Sequence, residues 1–329
     1  NPITFTEKIV SDFLRYQLAT YPFSDSNLLS QMRQLLSMEL TRQTPLLKGP
    51  YVSLSRSFRK GKQVAELVAE GLLHPLMTSL APYPNVYGHQ EQAIESIVRQ
   101  RQTTLVSTGT GSGKTECFLY PIISRCLQLR DERAAPGIVA VLVYPMNALA
   151  EDQLGRLREL LAGTGVSFGM YVGKTPQRVS DVAGVRLPSG ASRADYRAAQ
   201  ERLRKQKQPH AVHPFEERPS REEMRLPGQQ PRILLTNVKQ LELLLTRHQD
   251  VELFDGARLE YLVFDEAHTF TGAIGAETAC LVRRLRSFCG RQPGETVCVA
   301  TSATLVDPKR SSLNGQDFAA RLFGVAAAD

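Results

Sequence analysis

Residues Thr108 to Thr115 have the types and order of a phosphate-binding loop. The string Thr-Gly-Thr-Gly-Ser-Gly-Lys-Thr follows an apolar run and precedes a helical pattern, which is the context that such a loop requires. Backbone N–H groups of the loop and of the helix N-terminus would converge on a β-phosphate. Lys114 would place its charge on the β- and γ-phosphates, and Thr115 can hold Mg²⁺. The strict pattern has Gly where Thr108 stands, so the loop is a variant.

Two adjacent carboxylates form the second chemical signal. Asp265 and Glu266 follow the apolar run Tyr261–Phe264, about 150 residues after the phosphate loop. Carboxylates at the end of a buried strand suit metal-assisted phosphoryl transfer. Asp265 would hold Mg²⁺ directly or through water, and Glu266 would orient or deprotonate the attacking water.

A hydroxyl-rich string is the third signal. Thr301, Ser302, Ala303 and Thr304 follow the apolar run Val297–Ala300. Hydroxyl groups at that position can bond to the acidic pair and relay its state. By itself such a string is usually a turn or a helix cap, so its meaning depends on the two signals before it.

Alternating strands and helices must position these groups. From about residue 86, continuous apolar runs alternate with helical patterns, which is typical of a parallel sheet covered on both faces. We therefore predict an α/β fold with a doubly wound, mainly parallel sheet, with ligands at the carboxyl ends of the strands. The predicted strands are Thr104–Ser107, Ile138–Tyr144, Ser167–Tyr171, Ile233–Thr236, Tyr261–Phe264 and Val297–Ala300. The predicted helices are Gln90–Arg99, Lys114–Leu129, Ala148–Leu161, Val238–Arg247 and Glu277–Phe288.

Two segments lie outside this alternation. Residues 1–85 read as an N-terminal helical extension, with one helix starting near Ser24 and another over Lys62–Leu72. A basic insertion at about 174–232 contains several prolines, no clear strand and one candidate helix, Ala194–Lys207. It is either a solvated, mobile insertion or a loop that contacts nucleic acid or regulates the protein.

Composition narrows the class of protein. The 329 residues carry a net charge of +7, and 42% of them are hydrophobic, which excludes a disordered or fibrous chain. The basic balance suits a polyanionic partner. No apolar run is long enough to span a membrane. Five cysteines without a CxxC pair indicate reduced thiols in the cytoplasm. The chain begins with Asn1, so we expect its natural start to lie upstream.

Together the three strings resemble motifs I, II and III of the superfamily 2 helicases of the DEAD/DEAH type. Further strings resemble other motifs of that family. Gln90 stands where its adenine-reading glutamine lies, and Tyr-Pro-Met-Asn-Ala-Leu from Tyr144 resembles motif Ia. Thr-Gly-Ser-Gly-Lys-Thr-Glu, ending at Glu116, and Thr-Asn at 236–237 are most similar to the Lhr- and Mrf-like branch. That branch contains DNA helicases and translocases of repair or prokaryotic antiphage defence.

The resemblance implies a RecA-like domain 1 over residues 86–329 that binds ATP and Mg²⁺. It assigns cofactor contacts to Gln90 and to the loop, and catalysis to Lys114, Asp265 and Glu266. It assigns coupling to His268 and the string 301–304. The implied nucleotide-binding residues are Gln90, Thr108, Gly109, Thr110, Gly111, Ser112, Gly113, Lys114, Thr115 and Glu116. The implied nucleic-acid contacts are Pro145, Asn147, Gly173, Thr236 and Asn237.

The same resemblance implies what the chain lacks. The family places ATP between two RecA-like domains, and the second, with its arginine finger, is not encoded in these residues. We therefore expect an ATP-dependent helicase or translocase, with DNA favoured over RNA, whose isolated fragment is nearly inactive. Protein partners in a multi-subunit complex are also expected. The alternatives are a duplex translocase without unwinding and a nucleotide-regulated interaction module.

Overall fold

The computed structural model describes residues 2–20, 22–36, 57–109, 111–205, 211–303 and 313–325. The chain forms two compact units, 1–57 and 58–329. In the smaller unit, helix α1 covers Pro2–Thr20 and helix α2 covers Ser26–Leu36. The Asp25 carboxylate accepts hydrogen bonds from the backbone N–H groups of Asn27 and Leu28, at 2.7 and 3.2 Å, and so caps α2 close to the predicted start.

A six-stranded sheet forms the centre of the larger unit. All of its neighbouring strands are parallel, and their spatial order is β3-β10-β9-β4-β8-β5. This confirms the predicted doubly wound α/β class. The strands of the chain are β1 Lys60–Gln63, β2 Asn85–Tyr87, β3 Thr104–Ser107, β4 Ala140–Tyr144, β5 Phe168–Met170, β6 Val185–Arg186, β7 Val212–His213, β8 Ile233–Asn237, β9 Tyr261–Phe264 and β10 Val297–Ser302.

Helices cover both faces of this sheet. Strand β4 shows why, because its side chains are buried on both sides: Leu142 and Tyr144 point into one apolar cluster, and Val141 and Val143 into the other. The helices of the larger unit are α3 Val64–Ala69, α4 Met77–Leu80, α5 Gly88–Glu95, α6 Lys114–Asp131, α7 Asn147–Leu161, α8 Arg193–Lys205, α9 Arg221–Arg225, α10 Val238–Thr246, α11 Gly272–Phe288 and α12 Leu313–Phe323. Within the described ranges, no helix is both long and apolar enough to cross a membrane.

Residues 58–85 belong to the larger unit, although they were predicted as part of the N-terminal helical extension. Strand β1 pairs antiparallel with β2, and side chains of α3 and α4 join the apolar cluster on one face of the sheet. The predicted helix Lys62–Leu72 is wrong at its start, because Lys62 and Gln63 lie in β1. The Lys62 N–H donates to Glu91 Oε2 on α5 at 3.1 Å, which fixes this strand beside the helix.

The basic insertion is packed against the sheet. Its candidate helix is present as α8, but the expectation of no strand is wrong, because β6 and β7 pair in parallel. Glu217 is 2% exposed and binds Arg158 of α7, with Arg158 Nη2 and Glu217 Oε1 2.6 Å apart. The His213 ring lies 3.0 Å from the same carboxylate. These buried contacts attach the C-terminal part of the insertion, around 212–217, to helix α7. This part of the insertion is therefore packed and is not a solvated loop.

Candidate active site

The carboxyl ends of β3, β10 and β9 bring the three chemical strings together. These strands are neighbours, in register from Thr104 opposite Val299 and from Tyr261 opposite Val297. The Thr108 N–H donates to Ser302 O at 3.2 Å, which joins the start of the phosphate loop to the hydroxyl-rich string. The sequence therefore correctly predicted the edge of the sheet on which these groups meet.

The phosphate loop depends on glycine at specific points. Gly111 and Gly113 have φ angles of 74° and 75°, in the left-handed region that favours glycine. A Cβ at Gly113 would also lie 2.4 Å from Gln90 Nε2, whereas a Cβ at Gly111 would meet open space. Gly111 therefore lies on the open side of the loop, where nothing packs against it. Gly113 lies on the opposite side, which packs against Gln90. Thr110 lies outside the described residues.

Lys114 is the first residue of α6 and points back over the loop. Its Nζ donates to Thr108 O at 3.0 Å and to Gly109 O at 3.4 Å, and the residue is 8% exposed. The hydroxyl groups of Thr108 and Ser112 are bonded at 2.7 Å. A buried ammonium group held over a glycine-rich loop at a helix N-terminus is suited to a polyphosphate.

Gln90 lies against the packed side of the loop. Its Nε2 donates to Gly113 O at 2.8 Å, and its Oε1 accepts from the Tyr87 N–H at 2.7 Å. The neighbouring His89 places its Nε2 3.0 Å from Ser112 O. Burial lowers the pKa of His89, which favours the neutral ring. Two consecutive side chains of α5 therefore hold the phosphate loop in place.

A cavity of about 370 Å³ adjoins the loop on this side. The Tyr87 ring stacks on His89, with centroids 5.8 Å apart, whereas Tyr83 is 70% exposed at the cavity wall. Of these two tyrosines, Tyr83 is the one free to stack on a flat ring that enters the cavity. The cavity is lined by side chains and backbone of Tyr83, Tyr87, Gln90, Gly111, Gly113 and Glu116.

Glu116 forms an ion pair that sequence reasoning missed. Its Oε1 binds Arg156 Nη2 of α7, and its Oε2 is buried without a hydrogen-bond partner. The two residues are 40 positions apart, and no local pattern links them. A Glu directly after the Lys-Thr pair was the signal that the sequence offered.

The acidic pair and the hydroxyl-rich string form one network. Thr301 Oγ1 donates to Asp265 Oδ1 and accepts from the Glu266 N–H at 3.3 Å. His268 Nδ1 lies 3.3 Å from Glu266 Oε2 and 3.4 Å from the Ser302 hydroxyl. Glu266 itself has a φ of 51°, an unusual left-handed conformation for a residue with a side chain. Ala303 is half-buried beside this network, and Thr304 lies outside the described residues.

Most of the predicted nucleic-acid residues lie at the carboxyl ends of β4, β5 and β8. Pro145, Asn147 and Asn237 are half-buried and Gly173 is exposed. Asn237 Nδ2 donates to Asn147 Oδ1 at 2.7 Å, which joins α7 to α10. The structure does not support the predicted nucleic-acid contact by the Thr236 side chain. Thr236 is fully buried, and its hydroxyl donates to Tyr171 O at 2.8 Å, so the side chain braces β8 instead of facing a ligand.

Two oxygen-bearing side chains, Thr115 and Asp265, are the candidate metal ligands predicted from the sequence. Within the described part of the chain, no group of three or more His, Cys, Asp or Glu could hold a metal ion. Burial raises the pKa of Cys117 and Cys126 to about 12, so both thiols stay protonated. The hydroxyl of Thr115 and the carboxylate of Asp265 are hard oxygen donors of the kind that Mg²⁺ takes beside a phosphate.

Comparisons with known proteins agree with this geometry. A family model described as DEAD/DEAH box helicase matches residues 87–188 and 194–311. The Druantia protein DruE of Escherichia coli strain UMEA 4076-1 is 31% identical over 98% of the chain and 21% of its own length. The uncharacterized ATP-dependent helicase YprA of Bacillus subtilis strain 168 is 27% identical over 68% of the chain and 23% of its own length. The chain thus spans about a fifth of the length of these relatives.

Solved structures share the fold. A crystal structure of the DUF1998 helicase MrfA bound to DNA and AMPPNP has a TM-score of 0.53 at 23% identity, covering 82% of this chain and 30% of that one. The DEAD-box helicase Mss116 bound to ssRNA and UDP-BeF has a TM-score of 0.53 at 18% identity, covering 81% of this chain and 44% of that one. These likenesses confirm the RecA-like helicase fold.

Proposed function

Because the chain belongs to the DEAD/DEAH box helicase family, we propose that it binds ATP with Mg²⁺ and supplies half of the active site of a DNA helicase or translocase. One observation carries this proposal. Lys114 on the phosphate loop, the acidic pair at 265–266 and Thr301 all lie at the carboxyl ends of three neighbouring strands.

The phosphate loop fits a triphosphate. The left-handed glycines leave backbone N–H groups and the open side of Gly111 for phosphate oxygens. On nucleotide binding, Lys114 Nζ would release the carbonyl oxygens of Thr108 and Gly109 and would donate to phosphate oxygens instead. Thr115 and Asp265 would hold Mg²⁺, which when bound neutralises phosphate charge.

Glu266 is the residue that would orient the attacking water. Its backbone N–H is anchored on Thr301 and its carboxylate lies beside His268, so backbone and side chain each have one fixed contact. General-base catalysis by a positioned side chain contributes about 10²–10⁴-fold in rate. The same network would let the string at 301–303 sense the state of the nucleotide.

The opposite half of the edge would hold the nucleic acid. Pro145, Asn147, Gly173 and Asn237 lie at the ends of β4, β5 and β8, where they would contact the backbone of a single strand without reading sequence. We propose DNA as the substrate because the MrfA structure described above contains DNA, and RNA, as bound by Mss116, is the competing outcome. The whole protein would act in repair or antiphage defence.

A second RecA-like domain in the whole protein would complete the site. The match covers 21% of one relative and 23% of the other, which leaves room for that domain and for protein partners. The isolated chain would then retain nucleotide contacts but lack the groups that close on ATP.

The test is nucleic-acid-stimulated ATP hydrolysis by the whole protein, followed by strand displacement on a DNA duplex with a single-stranded overhang. Stimulation by DNA together with displacement supports the proposal. Displacement of a triplex strand without duplex unwinding would identify a duplex translocase instead. Stimulation by RNA alone contradicts the DNA assignment, and no ATP hydrolysis under any condition contradicts the whole proposal.

A further inference from the structure

We propose that Arg283, Arg286 and Arg291 form a second anion site, which takes a phosphate group at the edge of the sheet opposite to the nucleotide site. The phosphate would belong to a nucleic-acid backbone or would be a free phosphate ion, and the same guanidinium chemistry binds either. This inference goes beyond the proposed function, because the phosphate loop and the predicted nucleic-acid residues take no part in it.

A cavity of about 410 Å³ is lined by the end of helix α11, by the segment that follows it and by Gly324 after helix α12. Arg286 fixes its place in the fold. Arg286 Nη1 donates to Phe323 O at 2.6 Å, and Arg286 Nη2 donates to Cys298 Sγ at 3.0 Å, so the cavity adjoins the start of β10. The hydroxyl-rich string of the nucleotide site ends the same six-residue strand, roughly 17 Å away at the usual rise per residue.

The positive charge of this cavity is not balanced by the protein. Three of its lining residues are arginines and none is Asp or Glu. None of the three arginines forms an ion pair with another residue of the described ranges, whereas their neighbour Arg284 pairs with Glu242 at 2.6 Å. Arg286 is only 2% exposed, and a buried charge without an opposite charge is costly. An anion that enters the cavity would offset this cost.

Arg291 and Arg283 supply the accessible donors. The Arg291 side chain donates to no other described residue, and only its Nε is buried, so its two Nη atoms remain accessible at the cavity. The exposed Arg283 uses one N–H of each Nη, toward Ala279 O at 2.6 Å and Arg321 O at 3.2 Å, and keeps the others. Guanidinium groups bind phosphate through paired N–H donors, which fits this arrangement.

Capping of helix α11 does not account for these side chains. Gly290 ends the helix with a φ of 65°, and the backbone N–H groups of residues 289–291 donate to carbonyl groups of the last turn at 2.8 to 3.1 Å. The helix end is thus capped by backbone. Its dipole contributes about half a negative charge, which three guanidinium groups exceed, so the cavity stays positive.

The first experiment measures binding of inorganic phosphate to the 329-residue chain carrying Lys114→Ala, which weakens the phosphate loop. Thermal unfolding is followed by circular dichroism against phosphate concentration, with chloride holding the ionic strength constant. We expect a saturable rise of the unfolding temperature above the general stabilisation that phosphate gives to proteins. Adding Arg291→Gln should raise the half-saturating phosphate concentration about 10- to 100-fold, the range for one hydrogen bond to a charged group.

Arg284→Gln is the matched control in the same background. Arg284 lies on the same helix and carries the same charge, but Glu242 already binds it. The half-saturating phosphate concentration should therefore stay unchanged in Arg284→Gln.

The second experiment measures duplex DNA binding by the chain with an intact phosphate loop, between about 50 and 200 mM salt. Each lost phosphate contact lowers the slope of log affinity against log salt by about 0.9. If a nucleic-acid backbone occupies the site, Arg291→Gln should show this lower slope and Arg284→Gln should keep the original one. If the ligand is a free phosphate ion, only the first experiment should separate the two variants.

A change confined to Arg291→Gln in either experiment supports the site. Equal behaviour of Arg291→Gln and Arg284→Gln in both experiments overturns it. If Arg291→Gln does not fold, Arg283→Gln makes the same comparison, because the Arg283 side chain is exposed. Neither experiment uses ATP, so a failure of this inference leaves the phosphate-loop assignment intact, and a failure of ATP binding leaves this site intact.

Discussion

The hydroxyl of Thr301, near the end of β10, donates a hydrogen bond to the carboxylate of Asp265, just beyond β9. The same oxygen accepts from the Glu266 N–H at 3.3 Å. One hydroxyl therefore contacts both members of the acidic pair. A shift of the acidic pair would therefore also displace β10. In that strand the Ser302 carbonyl accepts a hydrogen bond from the Thr108 N–H of the phosphate loop.

Replacing Thr301 by Val should uncouple this network while keeping the shape of the side chain. Asp265 loses a donor and the Glu266 N–H loses its acceptor, so we expect a destabilisation of about 1–3 kcal/mol. Turnover in the whole protein should fall more than ATP affinity does. Thermal unfolding, ATP titration and steady-state hydrolysis measure the three effects, and turnover equal to wild type would contradict the coupling role.

Lys114→Ala should remove productive nucleotide binding without unfolding the domain. Among the described residues, Lys114 Nζ donates hydrogen bonds to two loop carbonyls and lies outside the apolar clusters, so its loss leaves those clusters intact. Losing one charged contact to phosphate should weaken ATP binding by at least about 10- to 100-fold. The chain contains no Trp, so a fluorescent nucleotide is the probe. Wild-type affinity in this variant would refute the phosphate-loop assignment.

Glu266→Gln in the whole protein should bind ATP but turn it over about 10²–10⁴-fold more slowly. Gln keeps the size of the side chain and removes the base. Nucleic-acid binding should persist or tighten, because blocked hydrolysis keeps the protein in its ATP-bound state. The exposed Glu277 of α11 provides the matched Glu277→Gln control. Normal hydrolysis by Glu266→Gln would mean that another residue handles the water.

The 329-residue chain alone should bind ATP weakly and hydrolyse it negligibly, with or without DNA. The recognised motifs lie in the larger unit, and an arginine finger supplied by another domain is worth about 10³–10⁵ in rate in comparable enzymes. Weak DNA binding should remain and fall steeply with salt, because phosphate contacts release counterions. Lys114→Ala controls for a contaminating ATPase. Robust DNA-stimulated turnover that disappears in that control would show that no partner domain is needed.

Acid should destabilise the larger unit through Glu217. Burial alone would raise the pKa of Glu217, but hydrogen bonds from His213 and Arg158 hold it below its usual value of 4.5. The carboxylate therefore stabilises the fold fully above pH 4.5, and this contribution is lost as the pH falls through the lower, folded-state pKa. Thermal unfolding of Glu217→Gln should depend less on pH in this range than that of the exposed-site control Glu201→Gln. Parallel profiles would contradict this assignment.

The central strands could be predicted because their apolar runs have clear polar ends. Thr104–Ser107 and Tyr261–Phe264 have their predicted bounds, and each ends where a chemical string begins. Strand β1 could not be predicted, because Lys-Gly-Lys-Gln has no apolar pattern and is a strand only through its pairing with β2. Such long-range pairing leaves no mark in a local window.

The site could be predicted as a set of motifs but not as a set of contacts. The phosphate loop and the acidic pair lie at the same edge of the sheet, on either side of β10, as the general rule for parallel sheets predicts. The Glu116–Arg156 pair depends on how α6 and α7 pack over the sheet. The residue type of Thr236 matches the family motif, so the sequence predicts a ligand contact. Its side chain instead bonds to Tyr171 O in the loop after β5, and the local sequence around Thr236 does not predict that contact.

The order of the strands also has a mechanical consequence. The residues proposed to bind the nucleotide follow β3, β10 and β9, and those proposed to bind the nucleic acid follow β4, β8 and β5, so the two halves meet at the β9–β4 ladder. That ladder pairs four residues of each strand, from Ala140 opposite Tyr261 to Val143 opposite Phe264, and every one of them is buried. Sliding one half past the other would break these bonds inside a close-packed core. The two halves of the sheet therefore keep a fixed spacing, and any relative movement that the proposed function requires must come from a hinge outside the sheet.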